Sequence, residues 1–176
     1  MAATMIAIAD AIAAELATAS GAGYFAPLTV APVRSYASWD NKLETLGTTK
    51  VDVVPLDMQA RFPARGHLGY EVQTSVLVRR LFGASDRDSD GQLLNASVDP
   101  FLVLLQQIYE LFAPSYPGHD GRPLATIPGA AWLPPTMSAT EGSQFRAMYS
   151  RTMLRTNSQF SGFVVLAFRV MKQAQQ

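Results

Sequence analysis

The run Asp86-Arg87-Asp88-Ser89-Asp90-Gly91 sets three carboxylates on alternate residues ahead of a glycine. A calcium loop opens in this way, with hard oxygen ligands around a cation and a glycine at the sharp turn. The pattern then departs from that chemistry. Its twelfth position is Ser97 where a bidentate glutamate belongs, and the residues ahead of it read as a strand instead of a helix. Asp86, Asp88 and Asp90 therefore read as a solvated acidic loop, and no metal site is expected. His67 and His119 are the only histidines and cysteine is absent, which excludes disulfides, thiolate chemistry and cysteine-ligated zinc. Gly118-His119-Asp120-Gly121 pairs an imidazole with a carboxylate, but adjacent residues between glycines read as a turn. There is no phosphate-binding loop, dinucleotide fingerprint or nucleophile elbow. No catalytic residue and no cofactor are expected.

The elements that would carry such residues are more legible. Tyr70, Val72, Thr74, Val76 and Val78 alternate with Glu71, Gln73, Ser75 and Arg79, so the stretch from Gly69 to Arg80 is a strand with one apolar face. Its β-branched and aromatic residues suit a half-buried sheet. Such a strand needs neighbours at its edges and an apolar layer over one face. Met5 to Ala19 supplies a helix with Met5, Ile8, Ala9, Ile12 and Leu16 on one stripe, stopped by Ser20-Gly21-Ala22-Gly23. Its polar face has no Lys or Arg, so it reads as packed on a sheet and not laid on a membrane; Asp10 and Glu15 argue against a span or a secretory signal. Asp99-Pro100 opens a second helix with an N-cap and a first-turn proline, and Phe101, Leu104, Leu105, Ile108 and Phe112 form its apolar stripe up to Pro114.

Thr29 to Tyr36 predicts a strand that Pro32 confines to an edge, and Thr48 to Pro55 a second with Val51 and Val53 opposed to Lys50 and Asp52. Leu56 to Gly66 reads as a hairpin-like loop or flap. Phe145 to Met171 reads as strand, and the part from Phe160 to Val170 is apolar on both faces, as in a strand covered on two sides by helices or by another subunit. Residues 113–144 are rich in proline and glycine and read as an insertion or inter-subunit arm. Together these predict a single α+β domain over residues 1–176: a mixed or antiparallel sheet, two main helices packed on one face, and a Pro-rich arm.

Composition points toward association. Hydrophobic residues make up 48%, charged residues 16%, and 14 basic residues balance 14 acidic ones. A neutral, apolar-rich chain tends to self-associate and exerts no long-range pull on nucleic acid or an anionic membrane. Acidic residues concentrate from Asp86 to Glu110 and basic ones in the last third, an asymmetry that suits head-to-tail packing.

Several local patterns, in order, resemble those of bacteriophage tail terminator (tail completion) proteins. They are Ile8-Ala9-Asp10-Ala11-Ile12, Arg34-Ser35-Tyr36, Leu43-Glu44-Thr45-Leu46 leading into Val51-Asp52-Val53-Val54-Pro55, the tyrosine-led strand from Tyr70 to Leu81, and the closing strand from Gln159 to Arg169. The segment 113–143 is longer and richer in proline than that pattern, and Met148 to Asn157 carries less charge. The resemblance implies a structural virion protein, not an enzyme. It would be a ring, hexameric, at the head-proximal end of the tail, capping the tail tube and joining it to head-completion or connector proteins. The ring would be assembled in the host cytoplasm, with DNA passing through it but without sequence-specific recognition, and with no membrane. Trp39, Phe62, Tyr116, Trp132 and Tyr149, aromatics in loop-like context, are the expected interface anchors, with core burial the alternative for each. The competing readings are another neck, head-completion or baseplate subunit and, more distantly, a monomeric calcium-loop module built on Asp86, Asp88 and Asp90.

Overall fold

In the computed structural model of the chain, residues 4–36, 47–64, 67–112, 124, 130–132 and 147–173 are described, with backbone alone at 61–64, 67–68, 130–132, 147 and 171–173. The architecture is α+β. Strands β1 (Pro32–Arg34), β2 (Lys50–Ala64), β3 (His67–Leu81), β4 (Ala130–Trp132), β5 (Ala147–Tyr149) and β6 (Gln159–Gln173) form one mixed sheet. Helices α1 (Thr4–Gly21), α2 (Asn95–Phe112) and α3 (Arg151–Asn157) and a 3-10 turn at Ala84–Asp86 complete the described elements. The sheet order is β1-β2-β3-β6-β4, and β5 shares the outer edge of β6 with β4. Only β1 and β2 run parallel.

The alternating strand sits where its pattern requires, between two long antiparallel neighbours. Val76 lies opposite Val53 on β2 and Val164 on β6, and Val72 lies opposite Phe168. Residues opposite one another share a face, so Val51, Val53, Val72, Val76, Val164 and Phe168 form one apolar surface, all fully or nearly fully buried. Helix α1 covers its β2–β3 half through Ile8, Ile12 and Leu16, and α2 its β6 half through Leu104, Leu105 and Ile108. Both main helices lie on this face. α1 ends as its sequence dictates: Gly23 takes φ +77°, and the Ser20 hydroxyl accepts a hydrogen bond from the Val30 amide at 3.0 Å. α1 is also long and apolar enough to cross a membrane, but its apolar stripe is packed in the core. Arg34 on β1 pairs with Asp10 of α1 at 3.1 Å, which ties the edge strand to the helix layer.

Three expectations are corrected. Leu56 to Gly66 is not a loop over its described length, because β2 continues to Ala64 and pairs with β3 as far as Ala64–His67. Register shifts after Pro55 and after Arg61 absorb the two prolines that suggested a break. Helix α2 begins at Asn95, so Asp99 is not its N-cap and Pro100 lies inside it. The Ser97 amide bonds the Leu94 carbonyl at 3.0 Å, a turn upstream of the proline, so Pro100 leaves one carbonyl without its usual donor and does not set the start. The region from Phe145 is not continuous strand, since α3 intervenes. Ser150 caps it by accepting from the Met153 amide, and Ser158 closes it in the left-handed region at φ 52°.

A candidate interface on the open face of the sheet

Among the described residues, the second face of the sheet has no pair of long helices over it. Val54, Leu77, Phe163 and Val165 point to it and are half-buried, and Leu56 is 49% exposed. With Met153 of α3 they line a depression of about 360 Å³. Val54 and Leu56, two residues apart on β2, both line it, as strand alternation requires.

The polar groups around this depression are largely matched to one another. Arg79 on β3 donates to the Asp52 carboxylate on β2 at 2.6 Å, with side-chain exposures of 7% and 15%. The two charges cancel at the wall of the site. Farther along the same face Glu71 and Arg169, directly opposite in register, pair at 2.8 Å. Gln159 also lines the depression and is 2% exposed.

The acidic loop is organised by its own backbone. The Asp86 carboxylate accepts from the Gly83 amide at 2.8 Å, and the Asp88 carboxylate accepts from the amides of Asp90 and Gln92 at 3.0 and 2.8 Å. Arg87 donates to the Gly91 carbonyl and to the Ser158 hydroxyl, fastening the loop to the α3–β6 junction. Gly91 supplies the turn at φ +76°. Among the described residues no group of three His, Cys, Asp or Glu side chains is placed to hold a metal. His119 and Asp120 lie outside the described residues.

Of the five aromatic candidates, the three within described elements fall on three different strands. Trp39 and Tyr116 lie outside the described residues. Phe62 belongs to the far end of β2 and Trp132 to β4, opposite Phe168, so both are in strands and not in loops. Tyr149 is also in a strand, half-buried, with its ring stacked on Phe160 at 6.0 Å and 8° between planes. The open face was missed because its members look like ordinary core residues: Val54, Leu77 and Val165 carry no mark of being uncovered. The signal available was the two-faced apolarity of β6. No protein-family model matches the chain, and no curated protein matches it.

Proposed function

We propose that this chain is a structural subunit of a bacteriophage tail, a tail terminator that assembles into a hexameric ring, caps the tube at its head-proximal end and meets the connector proteins. The motif order described above supports the family. The observation that carries the reading is the half-buried apolar face formed by Val54, Leu56, Leu77, Phe163 and Val165, on a subunit whose other face is already filled. An apolar surface of this kind on one side of a sheet marks an interaction site. Heterologous contacts about an axis close into a ring without further components.

The test is the mass of the purified protein by light scattering over a range of concentrations, followed by electron microscopy of phage particles. A closed ring in solution and density at the neck are expected. A stable monomer at high concentration overturns the ring, and density in the baseplate moves the chain to another part of the virion. The calcium-module reading predicts a thermal shift with calcium that chelator reverses. The commitment of Asp86 and Asp88 to loop amides favours no such shift.

A further inference from the structure

The outer edge of β2 has no part in the contacts described so far. β1 covers it only at Val51–Val53, where the Ser35 amide also donates to the Val53 carbonyl at 2.9 Å. From Val54 to Ala64 no strand among the described residues pairs with that edge. Between its two register shifts β2 is regular from Asp57 to Arg61, and residues 57–60 are exposed. Antiparallel pairing turns the backbone groups of alternate residues toward one neighbour and then the other. The Met58 amide is turned away from β3, since it donates to the Asp57 carboxylate at 2.7 Å. Ala60, two residues on, is turned the same way. A free edge of this kind is a template for another strand, and a charged side chain is one way of guarding it. Asp57 is that guard here, and its second oxygen accepts from the Gln59 carboxamide at 3.1 Å.

The residues of the regular run say which strand fits it. Asp57-Met58-Gln59-Ala60-Arg61 is complementary to its own reverse. Laid antiparallel against a second copy with Gln59 on the two-fold axis, it sets Met58 opposite Ala60 and Asp57 opposite Arg61. Met58 and Ala60 are the residues whose backbone groups face outward, so each of these pairs can exchange both of its amide hydrogen bonds. Opposite charges then face one another at both ends of the run. Centring on Met58 or on Ala60 keeps the backbone groups in step but separates the charges, and runs into the shift after Pro55 or the one after Arg61. We propose that the outer edge of β2 pairs with the same edge of a second copy, antiparallel about Gln59, with each Asp57 carboxylate exchanging the Met58 amide for Arg61 across the axis. That exchange frees the Met58 amide for the Ala60 carbonyl opposite. The contact is isologous and closes at two copies. It is independent of the proposed ring, and between rings it would join two of them.

Because the chain lacks cysteine, single thiols can be introduced without background. In the proposed register the two Gln59 residues form a non-hydrogen-bonded pair, with Cα atoms about 4.5 Å apart, within the span that a disulfide bridges. Gln59→Cys, at an exposed position, should therefore give a covalent dimer under mild oxidation, read on a non-reducing gel. Met58→Cys, two residues out of register with its own copy, should not. In the Gln59→Cys background, Arg61→Asp should slow cross-linking about tenfold or more. Adding Asp57→Arg should restore the original rate, a rescue that loss of the fold would not produce. Cross-linking at Gln59→Cys no faster than at Met58→Cys overturns the proposal, and so does a double charge reversal without rescue. A closed ring whose Gln59→Cys form stays uncross-linked overturns this contact and leaves the ring standing. A cross-linked dimer from a parent that forms no ring does the reverse.

Discussion

The two faces of this sheet are built from similar residues and have opposite fates. Phe168 and Phe163 both belong to β6, five residues apart and on opposite faces. Phe168 is fully buried and meets Phe112 of α2 edge-on at 6.3 Å, whereas Phe163 is half-buried over a depression. Valines divide in the same way, with Val53 and Val76 under helices and Val54 and Val165 on the open side. Residue type therefore does not tell the faces apart; the position of α1 and α2 does. The covered face holds the subunit together, and the open face is the one on which the proposed association rests.

The largest expected effect tests that division directly. Phe168→Ala should destabilise the subunit by about 3–5 kcal/mol, because a filled site beside α2 becomes a cavity. Phe163→Ala should cost about 1 kcal/mol or less, since a ring that is already partly solvated gives up little burial. Equilibrium urea unfolding of the dispersed subunit measures both. Equal losses would break the comparison and make the open face part of the core. A smaller loss, about 1–3 kcal/mol, is expected for Gly162→Ala on the covered face. A Cβ there would stand 2.6 Å from Cδ1 of Leu105 and 2.9 Å from Cε1 of Phe160, so α2 would have to lift or Leu105 turn away. A variant as stable as the parent would show that α2 packs less closely on β6 than these distances require.

How much of this division was written in the sequence depends on which residues are asked. The spacing of Ile8, Ile12 and Leu16, and of Leu104, Leu105 and Ile108, identified the helices and the stripes they bury, because a period near 3.6 leaves few alternatives. The alternation from Tyr70 to Val78 identified the central strand for the same reason. Pro55 and Pro63 concealed the length of β2, because a bulge lets a strand pass residues that usually end one. The seven residues of α3 were too few to show a period, and only Ser150 marked its start. Nothing local distinguishes Val54 from Val53 in kind. Which face is left open depends on where distant helices dock, and that information lies in no single segment.

The ion pair between the strands sharpens the comparison on the open side. Asp52→Ala should cost about 1–2 kcal/mol, below what a fully buried pair would lose, because water reaches this face. The Arg79 guanidinium would lose its carboxylate and leave a net positive charge at the wall of the depression. Assembly should therefore weaken along with stability, whereas Phe168→Ala should act on the folding of the subunit. Sedimentation at matched folded fractions separates the two. A loss of stability with assembly intact would show that this wall takes no part in the proposed association.

The smallest effect has the opposite sign. Thr74 is fully buried on the covered face, opposite Pro55 on β2 and Leu166 on β6. Its hydroxyl has no hydrogen-bond partner among the described residues. The alternation of β3 places a β-branched side chain there, and threonine fills the shape of valine while bringing an oxygen that the layer does not serve. Thr74→Val keeps the volume and removes the unsatisfied group, so it should stabilise the subunit by about 1 kcal/mol. For a chain of this size that is a rise of about 2–4 °C in Tm, resolvable by calorimetry. A destabilised variant would mean that the hydroxyl has a partner in the folded chain, and the covered face would then be less completely apolar than its neighbours make it.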